Sequence, residues 1–245
     1  MRLDVFLCER ELVKSRTEAK NLIENGSVSV FGKQITKPSY NVSEDSEISI
    51  TRTGTQYVSR GGYKLEAALD KFGVSPENRL AIDIGASSGG FTDCLLQRGA
   101  KHVIAVDSGT MQLAKSLRTD ARVSVMENTN ARYLSPSSLE YVPDLAVMDV
   151  SFISATYLFL PIYNCLAEIA DFICLIKPQF EVGKANLGKG GIVKSESARK
   201  MAVDKVLNAA REIGFLENGV IESPISGGDG NIEYLAYFRK EKAND

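Results

Sequence analysis

Histidine is nearly absent from this sequence: His102 is the one imidazole in 245 residues. No metal-ligand constellation can be assembled from it, and its place beside Lys101 at the start of a predicted strand marks it as a partly exposed structural residue. Cysteine is scarce as well. Cys8, Cys94, Cys165 and Cys174 show neither C-x-x-C spacing nor the density of a disulfide framework. That argues against a zinc site and for a reducing, cytoplasmic setting with thiols buried as small apolar groups. Neither sign of charge dominates, with 29 basic residues against 31 acidic ones, so any nucleic-acid contact has to come from charge segregated onto one face. Long hydrophobic runs are missing too. The most apolar stretch, residues 152–176, is broken by Pro161, Asn164, Glu168 and Asp171, and the opening MRLDVFLCERE carries acids immediately. Neither a membrane span nor a signal peptide is expected.

What the chain does have is enough apolar material, 44% of its residues, for one α/β domain of ordinary size and a small module. Residues 1–57 read as the module. Leu3, Phe6 and Leu7 share a helical face, and Ser15 with Glu18 has the spacing of a capping box. Ala19, Leu22 and Ile23 then form an apolar stripe that ends at Gly26. Val28 and Val30 alternate into Phe31-Gly32, and Ile35 and 48–50 follow as short strands. The stretch from R-L-D through S-R-x-x-A and I-x-x-G-x-V-x-V to K-P resembles the S4 RNA-binding domain, with Phe31 standing where such domains usually have Asn. That resemblance implies a surface of Arg2, Lys14, Ser15, Arg16, Lys20, Lys33 and Lys37 laid against RNA phosphates, contacts that position without reading sequence.

A short polar linker, 51–56, precedes a change of pattern. Residues 79–85, 101–107, 123–126, 144–149 and 171–177 are short buried runs separated by helical stretches, which predicts a doubly wound, mostly parallel sheet over residues 58–245. After the first run comes Asp83-Ile-Gly85-Ala86-Ser87-Ser-Gly89-Gly90-Phe91, a turn whose glycines let backbone approach a ligand at a helix N-terminus. It is not the G-x-G-x-x-G of a pyrophosphate binder. Asp107, at the end of the second strand, is placed to accept ribose hydroxyls, and Asn130, after the third, to meet an adenine edge. Glycine turn, acid and amide in that order point to S-adenosylmethionine as the cofactor. A second glycine-rich stretch, 183–190, mimics a phosphate loop, yet Gly190 stands where Ser or Thr would hold magnesium. Residues 180–195 around it read instead as a mobile flap offering Lys184 and Lys189 to RNA, with Arg60 on the loop before the predicted helix.

Four residues remain: Lys64 on that helix, Asp149 and Lys177 ending the fourth and fifth strands, and Glu233 in the late strand GNIEYLAYF. With SRGGYKL, DIGASSGGFTD, MDVSFIS, IKPQFEVGK, GKGGIV and SPISGGDGNIEYL, the chain resembles the FtsJ-like ribose 2′-O-methyltransferases and, more narrowly, the TlyA (hemolysin A) family. The resemblance implies a seven-stranded Rossmann-like methyltransferase sheet behind a small α+β S4-like domain. It also implies Lys64, Asp149, Lys177 and Glu233 as catalytic tetrad, and methylation of cytidine 2′-hydroxyls in ribosomal RNA or ribosomal subunits. The chemistry is consistent: the sulfonium methyl is already activated, so the protein must align an in-line attack and manage one proton. Lys177 is the candidate for taking that proton or stabilising the alkoxide. Two rival functions are a membrane-active hemolysin and a non-catalytic RNA-binding assembly factor.

Overall fold

The computed structural model describes residues 1–13, 15–24, 26–50 and 57–242. The linker 51–56 and Lys14 lie outside the described residues. Contacts divide the chain into two units, 1–60 and 61–245.

In the first unit α1 (Leu3–Glu9) and α2 (Arg16–Glu24) pack on a three-stranded antiparallel sheet of β1 (Val28–Val30), β2 (Lys33–Ile35) and β3 (Ile48–Ile50), ordered β2-β1-β3. Ser15 Oγ accepts from the Glu18 amide at 3.1 Å, which starts α2 where the sequence pattern placed it. Phe31 and Gly32, at φ 49° and 73°, form the two-residue turn between β1 and β2. A tight hairpin requires positive φ at both central positions. Phenylalanine accepts it here with its ring in solvent. Leu3, Leu7, Ala19, Ile23 and Val28 are wholly buried in a core belonging to this unit.

The second unit runs α3 (Gly61–Phe72), β4 (Leu80–Ile84), α4 (Gly90–Gln97), β5 (His102–Val106), α5 (Lys115–Arg118), β6 (Val123–Met126), β7 (Leu145–Met148), α6 (Phe159–Cys165), β8 (Ala170–Ile176), α7 (Pro178–Glu181), α8 (Glu196–Ile213), β9 (Leu216–Glu222) and β10 (Tyr234–Lys240). The sheet order is β6-β5-β4-β7-β8-β10-β9, parallel except for β10, which runs antiparallel to both its neighbours. Alternation along each strand builds two cores. Ile82, Ile104, Ala146, Phe172 and Phe238 face α6 and α8. On the other face Tyr237 packs against Phe72 of α3, ring centroids 5.4 Å apart. Phe159, Phe172, Phe215 and Phe238 interlock edge-on or tilted at 5.3–6.4 Å. Truncating one such phenylalanine to alanine costs about 3–5 kcal/mol.

Two features of this topology create the site. Strand order reverses between β4 and β7, the switch point at which doubly wound sheets leave a crevice beyond their carboxyl ends. And because β10 is antiparallel with Tyr234 opposite Ile176, the residue before β10 arrives beside the residue after β8. Glu233 therefore precedes the strand in which the sequence pattern placed it, and does so beside Lys177. His102 is held as expected, its Nε2 2.8 Å from Ser124 Oγ and its ring edge-on to Tyr141. The four cysteines are free, and three are buried.

Candidate active site

A cleft of about 620 Å³ opens at the carboxyl ends of β4, β5 and β7, lined by Gly85, Ser87, Asp107, Asn130, Asp149 and Phe152 among others. That volume falls in the range of small-molecule sites, roughly 300–1,000 Å³. Its floor is set by a close approach of backbone to backbone. A Cβ on Gly85, which has φ 84°, would lie 2.4 Å from the Asp149 carbonyl oxygen, so only glycine lets the ends of β4 and β7 meet.

The four residues expected to act together form two ion pairs. Lys64 Nζ donates to Glu233 Oε2 at 2.5 Å, with side-chain exposures of 10% and 3%. Glu233 is confined from behind, since a Cβ on Gly227 would stand 2.5 Å from its Oε1. Lys177 Nζ lies 2.5 Å from Asp149 Oδ1 and donates to Ser151 Oγ at 2.8 Å. The Lys177–Asp149 approach is electrostatic, for Asp149 Oδ1 receives no well-angled hydrogen bond. Both cations are thus held by carboxylates at one end of the neighbouring interior strands β7, β8 and β10. Ser151 was not foreseen as a site residue, although it stands in the MDVSF phrase.

The cofactor candidates separate into two groups. Gly85, Ser87, Asp107 and Asn130 line the cleft, whereas Asp83, Ala86, Gly89, Gly90 and Phe91 do not. Asp107 accepts from the Ser87 and Gly109 amides at 2.7 Å each, which fixes its carboxylate while leaving lone pairs for a ligand. Asn130 is partly committed, because its Oδ1 caps the following turn through the Arg132 amide at 3.1 Å. Gly89, at φ 95°, is required by packing: a Cβ there would strike the Leu117 side chain at 2.2 Å. Asp83 is fully buried. Its Oδ2 accepts from Thr92 Oγ1 at 2.7 Å, while Oδ1 has no partner. Burial pushes this carboxyl up to about 7, opposed by the Thr92 hydrogen bond and aided by the charge of Asp149. Sequence reasoning missed Glu127, whose carboxylate gathers the Met111, Gln112 and Leu113 amides and Arg118. Those hydrogen bonds, led by the Leu113 amide, hold it down to about 2 and shape the loop after Asp107.

Phe152 is the most unusual side chain of the rim. It has φ 65° and is 92% exposed, with its ring centroid 5.3 Å from that of Phe180. An exposed aromatic at positive φ costs free energy twice over, in strain and in solvation. The glycine-rich segment has local structure of its own. Residues 184–186 and 189–191 are 3₁₀ turns, and buried Asn231 fastens the segment by accepting from the Val193 amide at 2.9 Å and donating to the Gly191 carbonyl at 3.2 Å. An amide with both halves satisfied by backbone gives a glycine-rich loop the partners its own sequence lacks. Lys184 and Lys189 remain exposed on it.

In the first unit, Arg2 and Arg16 both donate to Asp4, at 2.9–3.0 Å. The Arg2 hydrogen bond is the main reason the Asp4 carboxyl is held down to about 2. Ser15, Lys33 and Lys37 are exposed, Lys20 is 3.8 Å from Glu24, and Arg60 is 3.5 Å from the same carboxylate. Arg2, Arg16, Lys20 and Arg60 are thus partly neutralised by Asp4 and Glu24.

Comparison with known proteins adds independent information. Residues 57–240 match the FtsJ-like methyltransferase family, and residues 1–48 match the S4 domain. The 16S/23S rRNA (cytidine-2'-O)-methyltransferase TlyA of Mycobacterium tuberculosis is 43% identical over 241 residues, 98% of this chain and 90% of that one. Hemolysin A of Brachyspira hyodysenteriae is 40% identical over 239 residues, 97% of this chain and 99% of that one. A solved structure described as a hemolysin from Streptococcus thermophilus superposes with TM-score 0.77 at 41% identity, covering 98% of this chain and 88% of that one.

Proposed function

The chain belongs to the FtsJ-like methyltransferase family and carries an S4 domain ahead of it, and we propose that it transfers the methyl group of S-adenosylmethionine to a ribose 2′-oxygen, that of a cytidine, in ribosomal RNA in the cytoplasm. The observation that supports this reading is the Lys177–Asp149 pair, whose Asp149 lines the same cleft as Asp107, with the buried Lys64–Glu233 pair at the start of the neighbouring strand β10.

The residues fit the cofactor. A fixed carboxylate after β5 suits a ribose diol, an amide after β6 suits an adenine edge, and Asp149 with Asp107 makes the cleft attractive to a sulfonium cation. S-adenosylmethionine supplies an activated methyl, and the chain does the rest. Lys64–Glu233 and Lys177–Asp149 orient two ammonium groups around the incoming ribose, and Lys177 acts on the 2′-hydroxyl proton or on the oxygen as charge develops. Asp149 holds Lys177 and is the nearby acceptor for the proton. Phe152 offers a face on which a splayed-out base can stack. Residues 1–57 act as the RNA-positioning module through Arg2, Lys14, Ser15, Arg16, Lys20, Lys33 and Lys37, and residues 58–245 as the methyltransferase, with Arg60, Lys184 and Lys189 as further RNA contacts.

Incubation with methyl-labelled S-adenosylmethionine and ribosomal RNA or separated subunits tests this: label should enter RNA, and none in any of them would contradict it. One relative's name favours a membrane-active alternative. Among the described residues no helix is long and apolar enough to cross a membrane. Dye release from liposomes by the purified protein, without cofactor or RNA, would favour that alternative.

A further inference from the structure

The segment after β7 and the segment after β8 are joined by more than the Lys177–Asp149 pair. Along them run three successive cross-connections: Lys177 to Asp149 and Ser151, Phe180 to Phe152, and Glu181 to Ser154 and Ala155. The last is the buried one. Glu181 Oε1 accepts from the Ala155 amide at 2.7 Å, and Oε2 accepts from Ser154 Oγ at 2.6 Å and from Lys205 Nζ of α8 at 3.0 Å. Lys205 also reaches the Glu181 carbonyl at 3.2 Å. The Glu181 side chain is 2% exposed and its bond from the Ala155 amide is buried, so that charge-assisted bond works in a low-dielectric setting, while Lys205, 48% exposed, reaches the carboxylate from the solvent side.

We propose that Glu181 is a positioning residue for methyl transfer: by tying the loop after Asp149 to the helix after Lys177, it sets where those two side chains and Ser151 meet. The proposal rests on the methyltransferase reading above. It accounts for two observations together. The loop 149–155 contains Phe152 at positive φ, a strained conformation that persists only where its surroundings over-determine it. Lys177, just before α7, and Glu181, at its end, bracket that loop. Without the buried carboxylate the Ala155 amide, the Ser154 hydroxyl and the Lys205 ammonium lose their common acceptor, and the loop end is free to shift. A displacement of about 1 Å in a catalytic group costs on the order of a hundredfold in rate.

The test uses the full chain with S-adenosylmethionine and ribosomal RNA, normalising rates to the fraction of molecules that bind cofactor. Glu181→Ala is expected to lower kcat by about tenfold to a hundredfold, with the Kd for S-adenosylmethionine and the KM for RNA unchanged. The neutral pair Glu181→Gln with Lys205→Met keeps an acceptor for the Ala155 amide without stranding a charge, and is expected to recover most of the lost kcat. An unchanged kcat in Glu181→Ala, or a loss matched by weaker cofactor binding, would overturn the proposal. So would failure of the neutral pair to recover rate while binding cofactor normally. If Glu181→Ala does not fold, Ser154→Ala decides: a smaller fall in kcat at constant Kd supports the proposal, and none overturns it. Absence of methyl transfer by the unaltered protein would contradict the function itself, whereas activity that ignores Glu181 contradicts only this inference.

Discussion

Replacing Lys177 with methionine removes one ammonium group while keeping most of the side-chain volume. Lys177 Nζ lies 2.5 Å from Asp149 Oδ1 and 2.8 Å from Ser151 Oγ, at 13% side-chain exposure. The loss has two separable effects. Stranding one member of a buried ion pair costs about 3–5 kcal/mol, but Asp149 is 23% exposed along the cleft, and access to water reduces that to about 1–2 kcal/mol. The protein should therefore stay folded. The rate effect is larger in consequence: removing the stabiliser of a developing alkoxide lowers turnover on the order of a hundredfold or more, about 2.7 kcal/mol of barrier. Cofactor affinity should hardly move, because Asp107 and its amide partners are untouched. Single-turnover methylation of ribosomal RNA, with calorimetric titration of S-adenosylmethionine, separates the two, and Asp107→Ala serves as the converse, losing affinity first. A Lys177→Met enzyme with near-normal turnover, or one restored by more S-adenosylmethionine, would show that Lys177 binds or packs and does not act on the hydroxyl.

Three further outcomes follow from the same geometry. Asp83 has its folded value raised to about 7 by burial, so the native state holds a proton that the unfolded chain has lost. Stability should fall as pH rises from about 4 to 7, by at most roughly 4 kcal/mol, and Asp83→Asn should abolish that slope in denaturation curves. A slope that survives the substitution would assign it to other groups. Phe152→Ala should leave cofactor binding intact and lower kcat/KM for RNA by about tenfold to a hundredfold, the worth of one base stacked on an aromatic ring; an unaltered kcat/KM would remove Phe152 from the RNA path. Deleting residues 1–57 should preserve S-adenosylmethionine binding, since the cleft lies wholly in the second unit, and should abolish or severely weaken methylation of ribosomal RNA. Full activity in the deletion would make the first unit dispensable.

The doubly wound sheet was legible because each buried run is short, apolar and bounded by a turn, and Gly85, Asp107, Asp149 and Lys177 could be placed at strand ends by that pattern alone. What was not legible depends on distant partners. Gly89 read as a ligand-facing glycine, and the structure gives it two further reasons to lack a side chain, its left-handed backbone and the Leu113 and Leu117 side chains packed against it. Asp83 read as a cofactor contact by proximity to Gly85, but the alternation of a strand turns it inward toward Thr92. The lysine- and glycine-rich segment 180–195 gave no sign of its anchor, an asparagine about forty residues further along the chain that bonds Gly191 and Val193. Glu127 and Glu181 carried no local signal, since an isolated acid after a strand or in a short helix reads as solvated until its donors, distant in sequence, are known.

The atom that receives the methyl group tests the account most directly. The unaltered protein, methyl-labelled S-adenosylmethionine and ribosomal RNA or separated subunits would be incubated, and the labelled nucleotide isolated and its modified position mapped. Two lysine–carboxylate pairs arranged around an incoming ribose predict label on a 2′-oxygen, which makes the adjacent phosphodiester resistant to alkaline cleavage. Label on a base nitrogen or carbon would contradict the role given to Lys64, Asp149, Lys177 and Glu233, even with the cofactor cleft correctly assigned.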